Sequence, residues 1–257
     1  MIILDACRFD FFKKIYKEYI NGKFEKRLSK GSNTGEWLVR TFPNNYNYIY
    51  ISANPLINSY GVPLNKCHAD YKNYSWNAIE HFSKIIDVWD FGWNKEFHII
   101  HPIEVNKAYL SNKDNNRTII HYMQPHIPYL SYEIYDCKQI IYIIRNRIKN
   151  IINPVLVRKT SNYENKLTYM FYLFLTLFLS FTKRIRMKIS RKKSLYYYED
   201  NLRIVLKSIS NLIDDLDGKT VITSDHGEAF GEQGIWEHPL ETHIPVLIEV
   251  PWLEVKS

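Results

Sequence analysis

Side chains that commonly bind divalent metal ions concentrate in two short stretches of the sequence, residues 121–126 and 224–228. The first stretch ends with His126, and the second contains Asp225 and His226, a carboxylate and an imidazole side by side. Carboxylate oxygens and neutral imidazole nitrogens are the ligands that hard and borderline divalent ions take in proteins. The two stretches therefore favour a metal-dependent hydrolase or transferase.

The Asp225-His226 pair gains weight from its neighbours, because a lone Asp-His dipeptide also occurs by chance. Three more potential ligands follow it within a short distance, Glu228, Glu232 and His238. Glycines lie between them and let the backbone pass close to a ligand. The alternative is a buried, hydrogen-bonded cluster of the same side chains without a metal.

The elements that position these residues follow from apolar runs. Strands are predicted at residues 2–4, 46–52, 97–100, 118–122, 220–223 and 246–250. The clearest helical pattern covers residues 202–216 and meets a turn at Asp217-Gly218. This alternation predicts an α/β fold with a mixed, mostly parallel sheet and helices on both faces.

Polar residues follow several of these strands directly. Asp5 comes after the first strand, Asp225 and His226 come after another, and residues 121–126 complete a third. In open α/β sheets the ligand binds at the carboxyl ends of the strands, so these segments are predicted to meet at one rim. Asp5, Asp225 and His226 are the predicted ligands of one ion.

The composition of the chain indicates its domain number, the charge of its partners and its cellular compartment. The chain has 257 residues and 46% hydrophobic content, which suits a single domain over residues 1–257. A net charge of +7 favours an anionic partner such as a phosphate or sulfate ester, or an acidic lipid. Three cysteines without a CxxC pair argue against a disulfide scaffold and a thiolate zinc site. With no signal peptide at the first residues, a cytoplasmic location is expected.

Residues 139–193 interrupt the alternation as a helical, apolar and basic excursion. Residues 167–181 are uncharged, and a cluster of lysines and arginines runs from Lys183 to Lys193. At about 1.5 Å per residue, a helix of that length falls short of the hydrocarbon core of about 30 Å. The segment is interpreted either as a peripheral contact with an anionic membrane surface, or as a buried helix with a solvated basic end. It carries no motif for specific nucleic-acid recognition.

Three motifs resemble those of the alkaline phosphatase and sulfatase superfamily. Residues 3–10, Ile-Leu-Asp-Ala-Cys-Arg-Phe-Asp, look like its first-strand motif. Residues 121–129 resemble its internal His-x-Pro-Tyr segment, and residues 223–232 resemble its second metal motif. His238 sits where lipoteichoic acid synthases and phosphoethanolamine transferases carry a substrate-side histidine. The resemblance implies an alkaline-phosphatase-like sandwich and chemistry on phosphate or sulfate esters.

The resemblance also implies a nucleophile. In this superfamily a side-chain nucleophile lies at a helix N-terminus and touches the metal, and residues 30–38 match that segment. The match makes Thr34 the nucleophile and a metal ligand, with Ser32 as the second choice. Contact with a divalent ion lowers the pKa of a hydroxyl, and the helix N-terminus favours a phosphoryl group. The local sequence alone favours Thr34 as an ordinary helix N-cap, and the other motifs shift the balance to the nucleophile.

The remaining histidines have open roles. His126 and His238 can hold a second ion, or can bind substrate and protonate the leaving oxygen. One ion is favoured over two, because residues 136–200 offer no convincing further carboxylate. Histidine ligation favours zinc or manganese over calcium. His121 is either part of the site or a packed core imidazole. Three further residues either support the metal ligands through outer contacts or simply lie on the surface: Glu237, Glu241 and His243.

The substrate class follows from what the sequence lacks. Sulfatases of the usual kind carry a Cys/Ser-x-Pro-x-Arg box and an asparagine after the metal-binding aspartate, whereas here His226 follows Asp225. The expected function is therefore hydrolysis or transfer at phosphate esters of a small molecule, glycan or lipid head group, through a covalent threonine intermediate. The alternatives are a sulfuric ester hydrolase, and an inactive protein that binds an anionic glycan or lipid.

Overall fold

The computed structural model describes residues 1–94, 99–113, 117–131 and 191–255. The strands in these residues are β1 (Ile2–Leu4), β2 (Lys23–Leu28), β3 (Tyr46–Ser52), β4 (Phe82–Asp87), β5 (Trp93–Asn94), β6 (Ile99–Ile100), β7 (Arg117–Tyr122), β8 (Thr220–Ser224), β9 (Ala229–Phe230), β10 (Trp236–Glu237) and β11 (Glu249–Val255). The α-helices are α1 (Phe9–Ile15), α2 (Thr34–Thr41), α3 (Leu64–Cys67), α4 (Val88–Phe91), α5 (Pro102–Ser111), α6 (Arg191–Ser210) and α7 (Pro245–Ile248).

The main sheet has seven strands in the order β2-β11-β8-β1-β7-β3-β4. Five neighbouring strands, β8, β1, β7, β3 and β4, pair in parallel, while β11 runs antiparallel to both of its neighbours. The prediction of a mixed, mostly parallel sheet is confirmed. Two small antiparallel pairs, β5 with β6 and β9 with β10, lie outside it.

Helices cover both faces of this sheet, as predicted, because the central strands are apolar on both sides. Along β1, Ile2 and Leu4 face a core shared with α1, α5 and α6, whereas Ile3 faces a second core shared with α2. Successive side chains of a strand point to opposite faces, so a continuous apolar run supplies two cores. The result is a layered α/β sandwich with β1 at its centre.

Helix α6 confirms the periodic pattern read from the sequence. Leu202, Val205, Leu206 and Ile209 are fully buried against the sheet. The chain then passes through a short 3₁₀ turn, Ile213–Asp215, and enters β8. Gly218 has φ +71°, a left-handed conformation that glycine adopts without a steric penalty, so the predicted Asp-Gly turn is also present.

The predicted strand at residues 246–250 is wrong in its first half. Pro245–Ile248 forms a helix, and the strand begins only at Glu249. Pro245 occupies the first helical turn, where its fixed φ and missing N–H suit a helix, and this outweighs the β-branched residues after it. Strand β2, with the sequence KFEKRL, was not predicted because it is a mostly exposed edge strand with too few apolar residues.

Several predictions fall on residues outside the described ranges. Of the strand predicted at residues 97–100, only Ile99 and Ile100 are described, and they form β6. The excursion at residues 139–193 is described only from Arg191, where α6 begins. Among the helices of the described ranges, none combines the length and the hydropathy needed to cross a membrane.

Candidate metal centre and nucleophile

The turns after β1 and β8 are tied together at the carboxyl rim of the sheet. Ala6 adopts φ 58°, and its backbone N–H donates to Oδ1 of Asp225 over 3.1 Å. The Cys7 N–H donates to the Ser224 hydroxyl over 2.8 Å, and that hydroxyl donates to the Leu4 carbonyl over 2.6 Å. These contacts hold Asp5 beside Asp225, as the strand order predicts.

Asp5, Asp225 and His226 form the first candidate metal group, and their ligand atoms all lie within 4.8 Å of one another. The three predicted ligands are thus brought together, and all are buried. His226 Nδ1 lies 2.7 Å from the Gly227 carbonyl oxygen. A carbonyl only accepts, so Nδ1 of the neutral ring carries the proton and Nε2 presents its lone pair to the cluster.

Gly227 has a steric role in this turn. A Cβ atom at Gly227 would lie 2.0 Å from the carbonyl oxygen of Val246, which leaves no room for any side chain. The Gly227 N–H also donates to the Leu247 carbonyl over 2.7 Å. The glycine therefore lets the metal-binding turn lie directly against α7.

The charge in the cluster fits a divalent cation. Within the described ranges, the ion-pair partners of Asp5 and Asp225 are imidazoles, with no lysine or arginine among them. Burial opposes ionisation of Asp5, but the neighbouring His126, His121 and His226 outweigh it and bring its pKa well below the ordinary value. Ionised carboxylates are buried at acceptable cost only when paired or bound to a metal. The donor set of two carboxylates and one imidazole suits zinc or manganese.

Thr34 contacts this group directly. Its hydroxyl lies 2.8 Å from Oδ2 of Asp225, to which it donates, and 3.2 Å from Nε2 of His226. The capping alternative is wrong for this residue, because Asn33 is the N-cap of α2 and its side chain accepts from the Glu36 N–H over 2.9 Å. Thr34 is instead the first residue of the helix, with its hydroxyl turned to the predicted ligands.

Ser32, the second choice, is engaged in a different network. Its hydroxyl lies 3.0 Å from Oε2 of Glu36 and 2.8 Å from the Pro239 carbonyl, and it accepts from the Thr242 N–H over 3.0 Å. Glu36 is fully buried and also contacts His243 over 2.8 Å. This network ties the start of α2 to the loop that follows His238.

His126, Glu228 and His238 form a second candidate metal group. Nδ1 of His238 lies 3.1 Å from Oε2 of Glu228, and Nδ1 of His126 donates to the Ile127 carbonyl. The ring of His238 lies 4.6 Å from that of His226 and 5.1 Å from that of His126, measured between centroids. Glu228, on the same loop as Asp225, thus gives this group a carboxylate that was not expected from residues 136–200.

Glu228 and His238 shift each other's protonation. Burial alone lowers the pKa of His238, but Glu228, and then Asp5 and Glu237, outweigh it and raise the value to about 9. Burial raises the pKa of Glu228, and the neighbouring His238 overcomes this and lowers it. In the metal-free protein at neutral pH, Glu228 is therefore a carboxylate and His238 an imidazolium. His238 thus holds a proton beside the first candidate metal group, which Thr34 contacts.

Helix α6 positions His126 from behind. Asn201 is fully buried, and its side-chain amide donates to the His126 carbonyl over 3.1 Å, while its oxygen accepts from the Leu130 N–H over 2.9 Å. The His126 N–H donates to the Asp5 carbonyl over 3.2 Å. The His-x-Pro-Tyr segment is thus fixed to both the first strand and the helix.

Some candidates lie away from both groups. Glu232 forms an ion pair of 2.8 Å with the buried Arg8, and Glu241 is exposed. Asn54, which was not predicted, donates to Oδ2 of Asp5 over 2.6 Å. Asn54 follows the strand at residues 46–52, so the same rim argument that found Asp5 would have identified it.

Solved structures of other proteins share the fold of this chain. The protein is similar to the soluble domain of lipooligosaccharide phosphoethanolamine transferase A from Neisseria meningitidis, with TM-score 0.54, 13% identity, and coverage of 99% of this chain and 75% of that chain. It has the alkaline-phosphatase-like fold. The likeness in fold agrees with the superfamily that the sequence motifs resemble.

Two further structures share the alkaline-phosphatase-like fold of this chain. The C-terminal periplasmic domain of phosphoethanolamine transferase EptC from Campylobacter jejuni matches with TM-score 0.51 and 15% identity over 98% of this chain and 76% of that chain. The integral membrane protein EptA from Neisseria meningitidis matches with TM-score 0.52 and 13% identity over 99% of this chain, which spans about half of that protein (47%). No protein-family model and no curated protein matches the sequence.

Proposed function

We propose that the protein is a metal-dependent hydrolase or phosphotransferase that acts on phosphate esters through a covalent intermediate on Thr34. The observation that carries the proposal is the position of the Thr34 hydroxyl, 2.8 Å from Asp225 and 3.2 Å from His226. A hydroxyl at a helix N-terminus, beside the predicted ligands of a cation, is arranged as an activated nucleophile.

Asp5, Asp225 and His226 would hold the cation, which would lower the pKa of the Thr34 hydroxyl and offset negative charge at phosphorus. Thr34 Oγ1 would form a bond to phosphorus as its proton passes to water, and the bond from phosphorus to the leaving oxygen would break with its electron pair on that oxygen. His238, protonated beside Glu228 when the second group holds no ion, would give its proton to the leaving oxygen. Water or an acceptor hydroxyl would then attack phosphorus and give its proton to His238, and the bond to Thr34 would break with its electron pair on Oγ1.

The substrate class that we favour is a phosphorylated head group of a lipid or glycan. Two observations support it, the net charge of +7 and the fold shared with proteins described as lipooligosaccharide phosphoethanolamine transferases. A peripheral contact with an anionic membrane through residues 167–193, and the cytoplasmic location expected from the sequence, stay predictions.

The test compares Thr34→Ala with Thr41→Ala, supplied with Zn²⁺ or Mn²⁺ and p-nitrophenyl esters. Thr41 ends the same helix and its hydroxyl has no hydrogen-bond partner among the described residues, so its removal controls for the loss of a threonine. We expect turnover of a phosphate mono- or diester by the wild type and Thr41→Ala, and a loss of about 1,000-fold or more in Thr34→Ala. Mass spectrometry of the quenched wild type should find a phosphoryl adduct on the peptide that contains Thr34.

Three results would overturn the proposal in different ways. Full turnover by Thr34→Ala would show that Thr34 is not the nucleophile. Hydrolysis of p-nitrophenyl sulfate well above the phosphate esters would favour the sulfuric ester hydrolase. Calorimetric binding of the metal and of an anionic glycan or lipid, with no turnover and no adduct on Thr34, would favour the inactive binding protein.

A further inference from the structure

His121 is a buried polar side chain near the centre of the sheet, and the proposed reaction does not use it. It is the penultimate residue of β7, where its Cα pairs with that of Ile3 in β1 and with that of Ser52 in β3. Its side chain has no solvent exposure. A polar ring in this position costs free energy unless both nitrogens find partners.

The two ring nitrogens of His121 have different surroundings. Nδ1 lies 2.9 Å from the Tyr50 hydroxyl. Nε2 has no hydrogen-bond partner in the described part of the chain, but lies 3.6 Å from Oδ2 of Asp5 and 4.0 Å from Oδ2 of Asp225. The nitrogen without a partner therefore faces both carboxylates of the predicted metal group.

Tyr50 determines which nitrogen carries the proton. The phenol is fully buried, and His121 Nδ1 is the acceptor within reach of its hydrogen among the described residues. Burial, with Asp225 and Asp5 adding to it, raises the pKa of Tyr50 well above its ordinary value, so the phenol keeps its hydrogen. If Tyr50 donates to Nδ1, the neutral imidazole carries its own hydrogen on Nε2.

We propose that His121, held by the Tyr50 hydroxyl, is a positioning residue that directs its Nε2–H at the Asp5 and Asp225 carboxylates and presets them for the cation. The inference rests on the proposed metal-dependent function. Oδ2 of Asp5 already accepts from Asn54 over 2.6 Å, and Oδ1 is the oxygen that lies 3.8 Å from His226 Nε2. In the proposed arrangement Asn54 and His121 both face Oδ2 of Asp5, and Oδ1 of Asp5 is left to the metal.

Direct ligation by His121 is the competing role, and it conflicts with Tyr50. A ligating Nε2 would need its lone pair, so Nδ1 would carry the hydrogen and donate to the phenol oxygen. The Tyr50 hydrogen would then face the buried core without an acceptor, at a cost of about 1–3 kcal/mol. The geometry at Tyr50 therefore favours positioning.

The first experiment reads the tautomer without any substitution. Histidine ¹⁵N chemical shifts of the full chain at neutral pH, with and without Zn²⁺, report which nitrogen is protonated, and a His121→Gln spectrum assigns the signal. We expect the Nε2–H tautomer in both states. Loss of that hydrogen when Zn²⁺ is added would make His121 a ligand and would overturn the inference.

The second experiment measures Zn²⁺ affinity by calorimetry in Tyr50→Phe, His121→Leu and His121→Gln. We expect Tyr50→Phe and His121→Leu to bind Zn²⁺ about 10–100-fold more weakly, and His121→Gln, which keeps an N–H donor, to lose less. Tyr122→Phe is the matched control, since Tyr122 is equally buried but its hydroxyl bonds Asn106 over 2.6 Å on the opposite face.

The outcomes separate this inference from the proposed function. Unchanged Zn²⁺ affinity in Tyr50→Phe and both His121 variants overturns the positioning role, even where Thr34-dependent turnover is intact. Zn²⁺ binding that depends on His121 and Tyr50 supports it, even where the protein turns over no ester. If His121→Leu does not fold, as shown by thermal unfolding, Tyr50→Phe and the ¹⁵N shifts decide.

Discussion

The Thr34 hydroxyl lies 2.8 Å from Oδ2 of Asp225, although 191 residues separate the two in the sequence. The contact joins the first turn of α2 to the turn after β8, so the proposed nucleophile on a helix meets a predicted ligand on the sheet. In this arrangement Asp225 accepts the hydrogen bond of the Thr34 hydroxyl, and so lies next to the proton that this hydroxyl would lose as a nucleophile. A cation at Asp225 would replace that proton, which couples metal binding to activation of the hydroxyl.

Replacing Asp225 with asparagine should remove the cation from this group. The Asp225→Asn side chain keeps the shape but loses the charge, and the loss of Zn²⁺ affinity should exceed the about 10–100-fold typical of an outer-shell contact. Calorimetry measures it, with Asp214→Asn as the control, because Asp214 is exposed beyond the end of α6. Equal Zn²⁺ affinity in the two variants would place the cation elsewhere.

The two candidate metal groups should load separately. Glu228 connects His126 and His238, so Glu228→Gln should weaken the second group and leave Asp5, Asp225 and His226 able to bind one ion. Elemental analysis after dialysis against Zn²⁺ should give a lower metal content for Glu228→Gln than for the wild type. A wild type that retains a single ion, with no change in Glu228→Gln, would assign His126 and His238 to substrate binding alone.

The sequence identified the rim because the strands there are short, apolar and buried on both faces. Asp5, Asp225 and His226 each follow such a strand, and their ligand atoms lie within 4.8 Å of one another, as expected for parallel strand ends that meet at one edge. The edges of the sheet were harder to read. Strand β2 is mostly exposed, and its alternating charges carry no core signal. Its place in the sheet follows from pairing with β11, which local sequence does not encode.

The outer contacts of the site could not be predicted, because they depend on which residues face each other across strands. His121 was equally a core imidazole or a site residue in the sequence, and only the distances to Tyr50 and Asp5 separate the two roles. The sequence also leaves Ser32 as a second choice to Thr34 for the nucleophile. The turn of α2 sends Ser32 to the Glu36 network and Thr34 to Asp225.

The ion pair between Glu228 and His238 should make the stability of the metal-free protein depend on pH. His238 has a raised pKa of about 9 in the folded state, against about 6.5 in an unfolded chain. Because folding raises the pKa of His238, its protonation stabilises the folded state. This contribution is fully present below about pH 6.5 and disappears as pH rises through about 9. Glu228, whose pKa is lowered, contributes above its ordinary range and loses that contribution in acid.

His238→Gln should therefore be less stable than the wild type at pH 6, by about 1–3 kcal/mol, and equal to it near pH 10. Urea unfolding in the presence of EDTA measures this difference across the range. A difference that stays constant from pH 6 to 10 would mean that His238 is not protonated beside Glu228. Zn²⁺ binding at the second group displaces the same proton, so its affinity should rise with pH over the same window.

The buried carboxylate of Glu36 should fix the loop that carries His238 to the nucleophile helix. Glu36 accepts from the Ser32 N–H over 2.8 Å and contacts His243 and Arg40, over 2.8 and 2.9 Å, while fully buried. Glu36→Gln keeps the volume but leaves part of this network without a charged acceptor, at a cost of about 1–3 kcal/mol. The Thr242 N–H, which donates to Ser32, should then exchange faster with solvent in hydrogen-exchange measurements.

Glu104→Gln is the matched control for that change. Glu104 lies in the first turn of α5 and forms an exposed pair with Lys107 over 2.8 Å, so its replacement should change stability by less than about 1 kcal/mol. Glu36→Gln should also lower turnover more than Zn²⁺ affinity, because the network positions the loop after His238 and makes no contact with Asp5 or Asp225. If Glu36→Gln lost as much Zn²⁺ affinity as turnover, this prediction would be wrong, and the network would also position the metal group.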